Sequence, residues 1–485
     1  MPPGSATKRI LLLAGCCLLL ALAVVAAVAL WPRDPLVTRP ATAVGTVAIT
    51  NVRVLDVVEG TLSAPSDVIL KDGVIAAISP TGAELPAGAA RIDGDGGTLM
   101  PGLIDSHCHV GSSSEAPWGF SIGNPALNME RLLYSGVTRV FDPGAVVPDV
   151  FELRDRVAAE EELGPTILAA GPVFTALQGH PEPMLRKQMP GFVADLIIPK
   201  MTRQISSRED ADRDLAEIAA FQPIVIKLAY DDIPTGTAML TPQLAGDIVE
   251  AASAHDLRTV AHIGTTQGAI ATGKAGVSAW IHGVYKERIP DEDIATIAGF
   301  GIPMVPTMVV FKSYGEVGRG DFKPTELERQ TVPEDVLAAY LEVPEDFEPD
   351  PEGAQFLELL RAQRDNGLDN VRRLHAAGVT MLAGSDAQPT VVHGPSLHRE
   401  LGLLRRAGLP AAEVVRSATL YPARFFTQEQ DPPYGVAAVG KTADLILVRG
   451  NPLDDVGAIS NVERVFLHGV PLSRHPLTGP RNLAN

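Results

Sequence analysis

The stretch Leu99-Met100-Pro101-Gly102-Leu103-Ile104-Asp105-Ser106-His107-Cys108-His109 closes an apolar run with two histidines one residue apart. Side chains of a strand alternate between faces, so both imidazoles point one way and Cys108 points the other. Two nitrogen donors then lie side by side, as the first two ligands of a divalent cation must. Such a pair is weak evidence by itself. Its weight depends on what the rest of the chain places at the ends of other strands.

Downstream, short apolar runs alternate with helix-length polar or amphipathic stretches. The strand candidates cover residues 102–109, 138–141, 166–174, 224–229, 259–262, 279–282, 303–309 and 379–384. Eight such units predict an α/β fold, a (β/α)8 TIM barrel over residues 99–426. Two Pro- and charge-rich stretches, 178–201 and 312–353, read as insertions that form lids over the active face. The chain ends read as β instead, with a hairpin signal at Lys71-Asp72-Gly73 and a turn at His468-Gly469. Residues 46–98 and 427–485 are therefore expected to pair into one small β-sandwich domain.

In a TIM barrel the chemistry gathers at the C-terminal ends of the strands. There the sequence places His107 and His109 on strand one, Lys227 on strand four, His262 on strand five, His282 on strand six and Asp386 on strand eight. A single histidine can hydrogen-bond within a core, and an aspartate after Gly384-Ser385 can cap a helix. Six such residues on five strands argue for a shared site. Lys227 lies within Ile224-Val225-Ile226-Lys227-Leu228-Ala229, where a charged amine would carry a large desolvation cost.

On these residues the chain resembles the amidohydrolase superfamily. Pro101-Gly102-Leu103-Ile104-Asp105-x-His107-x-His109 and Gly440-Lys441-x-Ala443-Asp444-Leu445 carry the resemblance across the whole chain after residue 45. Ser396-Leu397-His398-Arg399-Glu400-Leu401 and Ala418-Thr419-x-x-Pro422-Ala423 are similar to the branch of imidazolonepropionase-like proteins and metal-dependent Xaa-Pro dipeptidases. The resemblance implies two divalent metal ions, with His107, His109 and Asp386 on one and His262 and His282 on the other. It also implies that Lys227 is carboxylated on its amine and bridges both. Histidine-rich ligation suits zinc, although manganese, iron or cobalt accept the same donors.

The implied chemistry is hydrolysis of an amide-type C–N bond in a dipeptide, N-acyl amino acid or cyclic amide. A hydroxide bridging two metals attacks, and Asp386 passes the proton to the departing nitrogen. Ester, lactone or phosphotriester hydrolysis on the same site is the alternative enzymatic reading, and a noncatalytic scaffold of this fold is the alternative in kind. Tyr230, three residues past Lys227, and His180, after strand three, are candidate substrate contacts. His393 and His398, after strand eight, are poorer ones, Glu400 is expected on the next helix, and Cys108 is expected to be structural. One departure stands out: many relatives carry His or Tyr soon after the strand-five histidine, where this chain has Ile263-Gly264-Thr265. Gly435-Val436-Ala437-Ala438-Val439-Gly440-Lys441-Thr442 fits a P-loop pattern but precedes a strand, so it is not read as a phosphate site.

The net charge of −18 argues against nucleic acid as a partner, which leaves a small-molecule amide or peptide-like substrate. Among three cysteines only Cys108 falls outside the N-terminal apolar segment, so the folded body forms no internal disulfide. Lys8 and Arg9 precede an apolar run from residue 10 to 31, so residues 1–31 read as a signal peptide or transmembrane anchor. Positive charge before that run places the body outside the cytoplasm, periplasmic or secreted, with membrane contact only through this segment. Residues 32–45 read as a linker. A homo-oligomer is left open.

Overall fold

The structure is a computed structural model and describes residues 34–42, 45–116, 118, 123–317, 320–345, 351–362 and 365–477. The apolar segment expected to be an anchor or signal peptide lies outside the described residues. Among the described residues no helix is long and apolar enough to cross a membrane.

Eight strand positions close around one axis. Leu103–Asp105 pairs in parallel with Val137–Asp142, which pairs in parallel with Thr166–Ala169. The third strand then changes partner at Gly171, whose φ is +85° and whose added Cβ would fall 2.9 Å from the Phe151 ring. Past this break Val173–Thr175 pairs with Ile226–Ala229, followed in parallel by Thr259–His262, Ala279–Ile281 and Met304–Val305. The eighth position closes the ring through single bonds: Met304 bridges Met381, and the Ser106 amide donates to the Ala383 carbonyl at 2.9 Å. Among the described residues at least one helix follows each strand position, with extra helices after the third and seventh, and Pro395–Arg406 follows the eighth. Most strand residues are buried, which suits the predominance of Val, Ile, Leu and Ala among them.

Strand seven is shorter than expected. Only Met304–Val305 is extended; Thr307 turns to φ +45° and a helix, Met308–Val317, begins within the run read as strand. An apolar run of this length does not by itself distinguish strand from buried helix.

Strands from both chain ends form one ten-stranded sheet. Thr46–Asp56 runs through it, pairing with Ser66–Lys71 and Ala90–Asp93 in its first half and with Thr98–Pro101 in its second. Its register shifts between Ile49 and Val52, where Asn51 has φ +55°. Val47, Ile49, Val68 and Leu70 cluster with Leu99, Leu445, Leu447 and Phe466, so the sheet bends at that break and packs on its own apolar face. Within the stretch read as a linker, Val37–Thr38 adds an edge strand to Val470–Arg474 because Leu36 and Val37 are buried.

The two insertions are helical and touch each other. The first carries Glu182–Gln188 and Gly191–Met201; the second includes Glu326–Thr331, Glu334–Leu341 and Pro351–Ala362. Lys187 Nζ lies 2.5 Å from Glu352 Oε2, and Met184 joins Phe356 and Leu360 in a cluster with Tyr285 and Phe311. Phe311 in turn lies edge-on to His282, ring centroids 5.6 Å apart.

Candidate metal centre

Asp105 joins the ends of the first and eighth strands. It is fully buried, accepts from the Ser385 amide at 2.9 Å and hydroxyl at 2.6 Å, and accepts from the His107 amide at 3.2 Å. Burial raises its carboxyl to about 7 against these hydrogen bonds. Gly384 permits the close approach, since a Cβ there would lie 2.9 Å from both the backbone nitrogen and the Cβ of His107. The result holds His107 and Asp386 face to face.

Nε2 of His107 and Nε2 of His109 each lie 3.2 Å from Asp386 Oδ1. His109 is oriented by its other nitrogen, which donates to the Gly144 carbonyl at 2.9 Å, and its backbone carbonyl accepts from His393 Nε2 at 2.9 Å. Cys108 is buried on the opposite side, in the main core. His282 Nδ1 is 2.6 Å from Thr307 Oγ1 and 3.9 Å from Asp386 Oδ2. Ring centroids of His107 and His282 are 4.7 Å apart, and those of His282 and His262 are 4.2 Å apart. His282, Thr307 and Asp386 all have positive φ, a strained backbone that surrounding structure must hold.

His262 ends the fifth strand, and its Nε2 lies 3.2 Å from Asp231 Oδ2. Lys227 is buried on the neighbouring strand, where burial lowers its amine to about 8 despite the pull of Asp386 and Asp142. Burial also drives His107, His262 and His282 well below the usual histidine range, so these imidazoles are neutral. His109 behaves differently: burial lowers it, but Asp142 and Asp386 outweigh that and raise it to about 9. Burial likewise opposes ionisation of Asp386, yet His109, His282 and Lys227 hold its carboxyl below the usual range.

These residues fit a cation. Both ring nitrogens of His107 and Oδ1 of Asp386 are buried without a hydrogen-bond partner among the described residues. An orphaned polar atom in a core costs roughly 1–3 kcal/mol unless something satisfies it. His107, His282 and Asp386 bring one ligand atom each within 4.8 Å of one another. Neutral imidazoles, an ionised carboxylate and an amine poised near neutrality are donors that divalent cations take.

The two expected substrate contacts diverge. His180 stacks obliquely on His262, centroids 4.7 Å apart, with Nδ1 3.3 Å from the Ile233 carbonyl; burial lowers it to about 4. Tyr230 instead packs in the core with its ring beside Gly268. His398 is remote, bonded to the Ser135 carbonyl. Sequence reasoning missed Asp142, Asp231, Thr307 and the support given by Glu400. Asp231 had a local signal, since it follows Tyr230 directly at a strand end, whereas Thr307 and Glu400 act through folds of distant segments.

Residues 98–472 match the model of the Amidohydrolase family. The chain belongs to the amidohydrolase family. The resemblance read from the sequence is thereby borne out, and the fold is TIM-barrel-like. An uncharacterized protein of Mycobacterium tuberculosis is 25% identical over 395 residues, covering 79% of this chain and 88% of that protein. An adenine deaminase of Escherichia coli is 39% identical over only 79 residues, 16% of this chain and 13% of the deaminase. Among solved structures, an Xaa-Pro dipeptidase with methionine bound in its active site shares the fold at TM-score 0.70 and 22% identity, over 88% of this chain and 99% of that one. Molinate hydrolase does so at TM-score 0.68 and 18% identity, over 89% of this chain and 95% of that one. Family membership makes this amidohydrolase-family chain a hydrolase.

Proposed function

We propose that this amidohydrolase cleaves an amide-type C–N bond in a peptide-like, N-acyl or cyclic amide substrate. His107, His109 and Asp386 would hold one divalent cation and His262 and His282 a second, with carboxylated Lys227 between them. The observation that carries this reading is the buried His107–Asp386 pair, whose facing atoms are in contact range and have no hydrogen-bond partner. A pair of divalent cations, zinc by ligand type, would polarise the scissile carbonyl and lower the pKa of the attacking water.

The side chains account for the remaining chemistry. Asp386 is kept ionised by His109, His282 and Lys227, so Oδ1 or Oδ2 can accept the proton of the attacking water. The same carboxyl then delivers that proton to the leaving nitrogen. His180, neutral and beside His262, offers a hydrogen bond to substrate. The paired insertions close over Phe311 and His282 and would exclude water. The apolar run at residues 10–31 supports placement of the catalytic body across a membrane from the cytoplasm.

A panel of dipeptides, N-acyl amino acids, cyclic amides and lactones, assayed with residues 34–485, tests the reading. Turnover of an amide substrate that is abolished by chelation supports it. Turnover of lactones or esters alone would refute the C–N assignment.

A further inference from the structure

Gly264 follows the fifth strand, and the structure shows what fills the space beside it. A Cβ on Gly264 would lie 2.5 Å from Asp231 Oδ2 and 2.8 Å from Oδ1. Real Cβ atoms essentially never approach so closely, so the carboxylate as placed excludes any side chain at position 264. Asp231 is only 3% exposed. Its Oδ2 accepts from the Tyr285 hydroxyl at 2.8 Å and faces His262 Nε2 at 3.2 Å. Its Oδ1 lies 2.7 Å from Lys286 Nζ and accepts from the Asp232 amide at 3.0 Å. The Gly264 carbonyl in turn accepts the amides of Tyr285 and Lys286, at 3.2 and 3.1 Å. One short loop thus makes room for the carboxylate and also anchors the two side chains that hold it.

Lys286 Nζ, the Tyr285 hydroxyl and the Asp232 amide all donate to the Asp231 carboxylate, which leaves it an acceptor toward His262, so Nε2 is the His262 nitrogen that carries the proton. Nδ1 is left with its lone pair. We infer that Asp231 is a positioning residue which fixes the His262 tautomer so that Nδ1 ligates a cation, and that Gly264 is kept free of a side chain to admit it. This rests on the two-cation reading above. Buried partners of ligating histidines typically contribute 10–100-fold in metal affinity.

The test reads metal content and metal release to a chelator, without reference to turnover. Full-length Asp231→Asn and Asp231→Ala should release the more labile metal about 10–100-fold faster than wild type, so that about one equivalent remains where wild type keeps about two. Gly264→Ala should behave like Asp231→Ala. The double variant should be no worse than either single one, because removing the carboxylate vacates the space the new methyl needs. Tyr285→Phe keeps the core filled and removes one bond to Oδ2; it should show a smaller acceleration of the same release, and it carries the test should the Asp231 variants not fold. Release rates within twofold of wild type in Asp231→Asn and Tyr285→Phe would overturn the inference, as would effects of Asp231→Ala and Gly264→Ala that simply multiply. A wild-type chain that holds no metal would instead refute the two-cation reading itself.

Discussion

Oδ1 of Asp386, beyond the eighth strand, lies 3.2 Å from Nε2 of His107, beyond the first. The residues are far apart in sequence, and only closure of the barrel makes them neighbours. Asp105 secures that closure by bonding to the His107 backbone and to Ser385 at once. The contact buries Oδ1 of the carboxylate and both ring nitrogens of His107 without a hydrogen-bond partner among the described residues.

Replacement of Asp386 by Asn keeps the shape and removes the proton acceptor. kcat should fall by about 10²–10⁴, the range for loss of a general acid–base group. Metal content should persist, since the amide oxygen and the histidines remain. Steady-state kinetics with metal analysis check this; turnover near wild type would exclude the assigned role.

Gly384→Ala tests the approach of strands one and eight. The added methyl meets Val305 at 2.6 Å and His107 at 2.9 Å, so something must shift. A loss of stability of about 1–3 kcal/mol is expected from overpacking, together with reduced metal content. Thermal unfolding of the metal-free variant isolates the steric part.

Lys227 must be a neutral amine to capture CO2. With its amine lowered to about 8, the neutral fraction rises through that pH, well before that of an ordinary lysine. Metal uptake by stripped protein should therefore depend on bicarbonate. That bicarbonate-dependent increment should grow between pH 7 and 9. Lys227→Ala should show no increment at any pH. Uptake indifferent to CO2 would rule out the carbamate.

Glu400 is fully buried and accepts the amides of Met308 and Val309, holding the helix that follows Thr307 and hence the partner of His282. Burial raises its carboxyl from 4.5 to about 8. Between those values the folded chain keeps a proton the unfolded chain has lost, so this group costs stability as pH rises from 4.5 to 8. Glu400→Gln removes the titration. Its stability should decline less than that of wild type between pH 5 and 8.5, by on the order of 4 kcal/mol. Parallel slopes in denaturant unfolding at both pH values would contradict this.

How much of this was legible in the sequence follows from the range of each interaction. Strand alternation alone put His107 and His109 on one side and Cys108 on the other, and the two nitrogens do meet on a single Asp386 oxygen. Lys227 was conspicuous because its neighbours are all apolar. The partner change was marked only by Gly171-Pro172, which the reading of residues 166–174 as one strand passed over, so one apolar run served two ladders. Strand seven was overextended because Met308 and Val309 suit a buried helix as well as a strand. Position at a strand end does not fix the direction of the Tyr230 ring, which lies beside Gly268. Asp231, Thr307 and Glu400 reach the histidines through contacts that only the folded chain creates.

Elemental analysis of the purified wild-type chain, before and after dialysis against a chelator and after readdition of zinc, probes the two-cation site most directly. About two equivalents of divalent metal per chain, lost and regained together with amide hydrolysis, are expected. A metal-free chain that hydrolyses amides at an undiminished rate would contradict the reading of His107, His109, Lys227, His262, His282 and Asp386 as one metal centre.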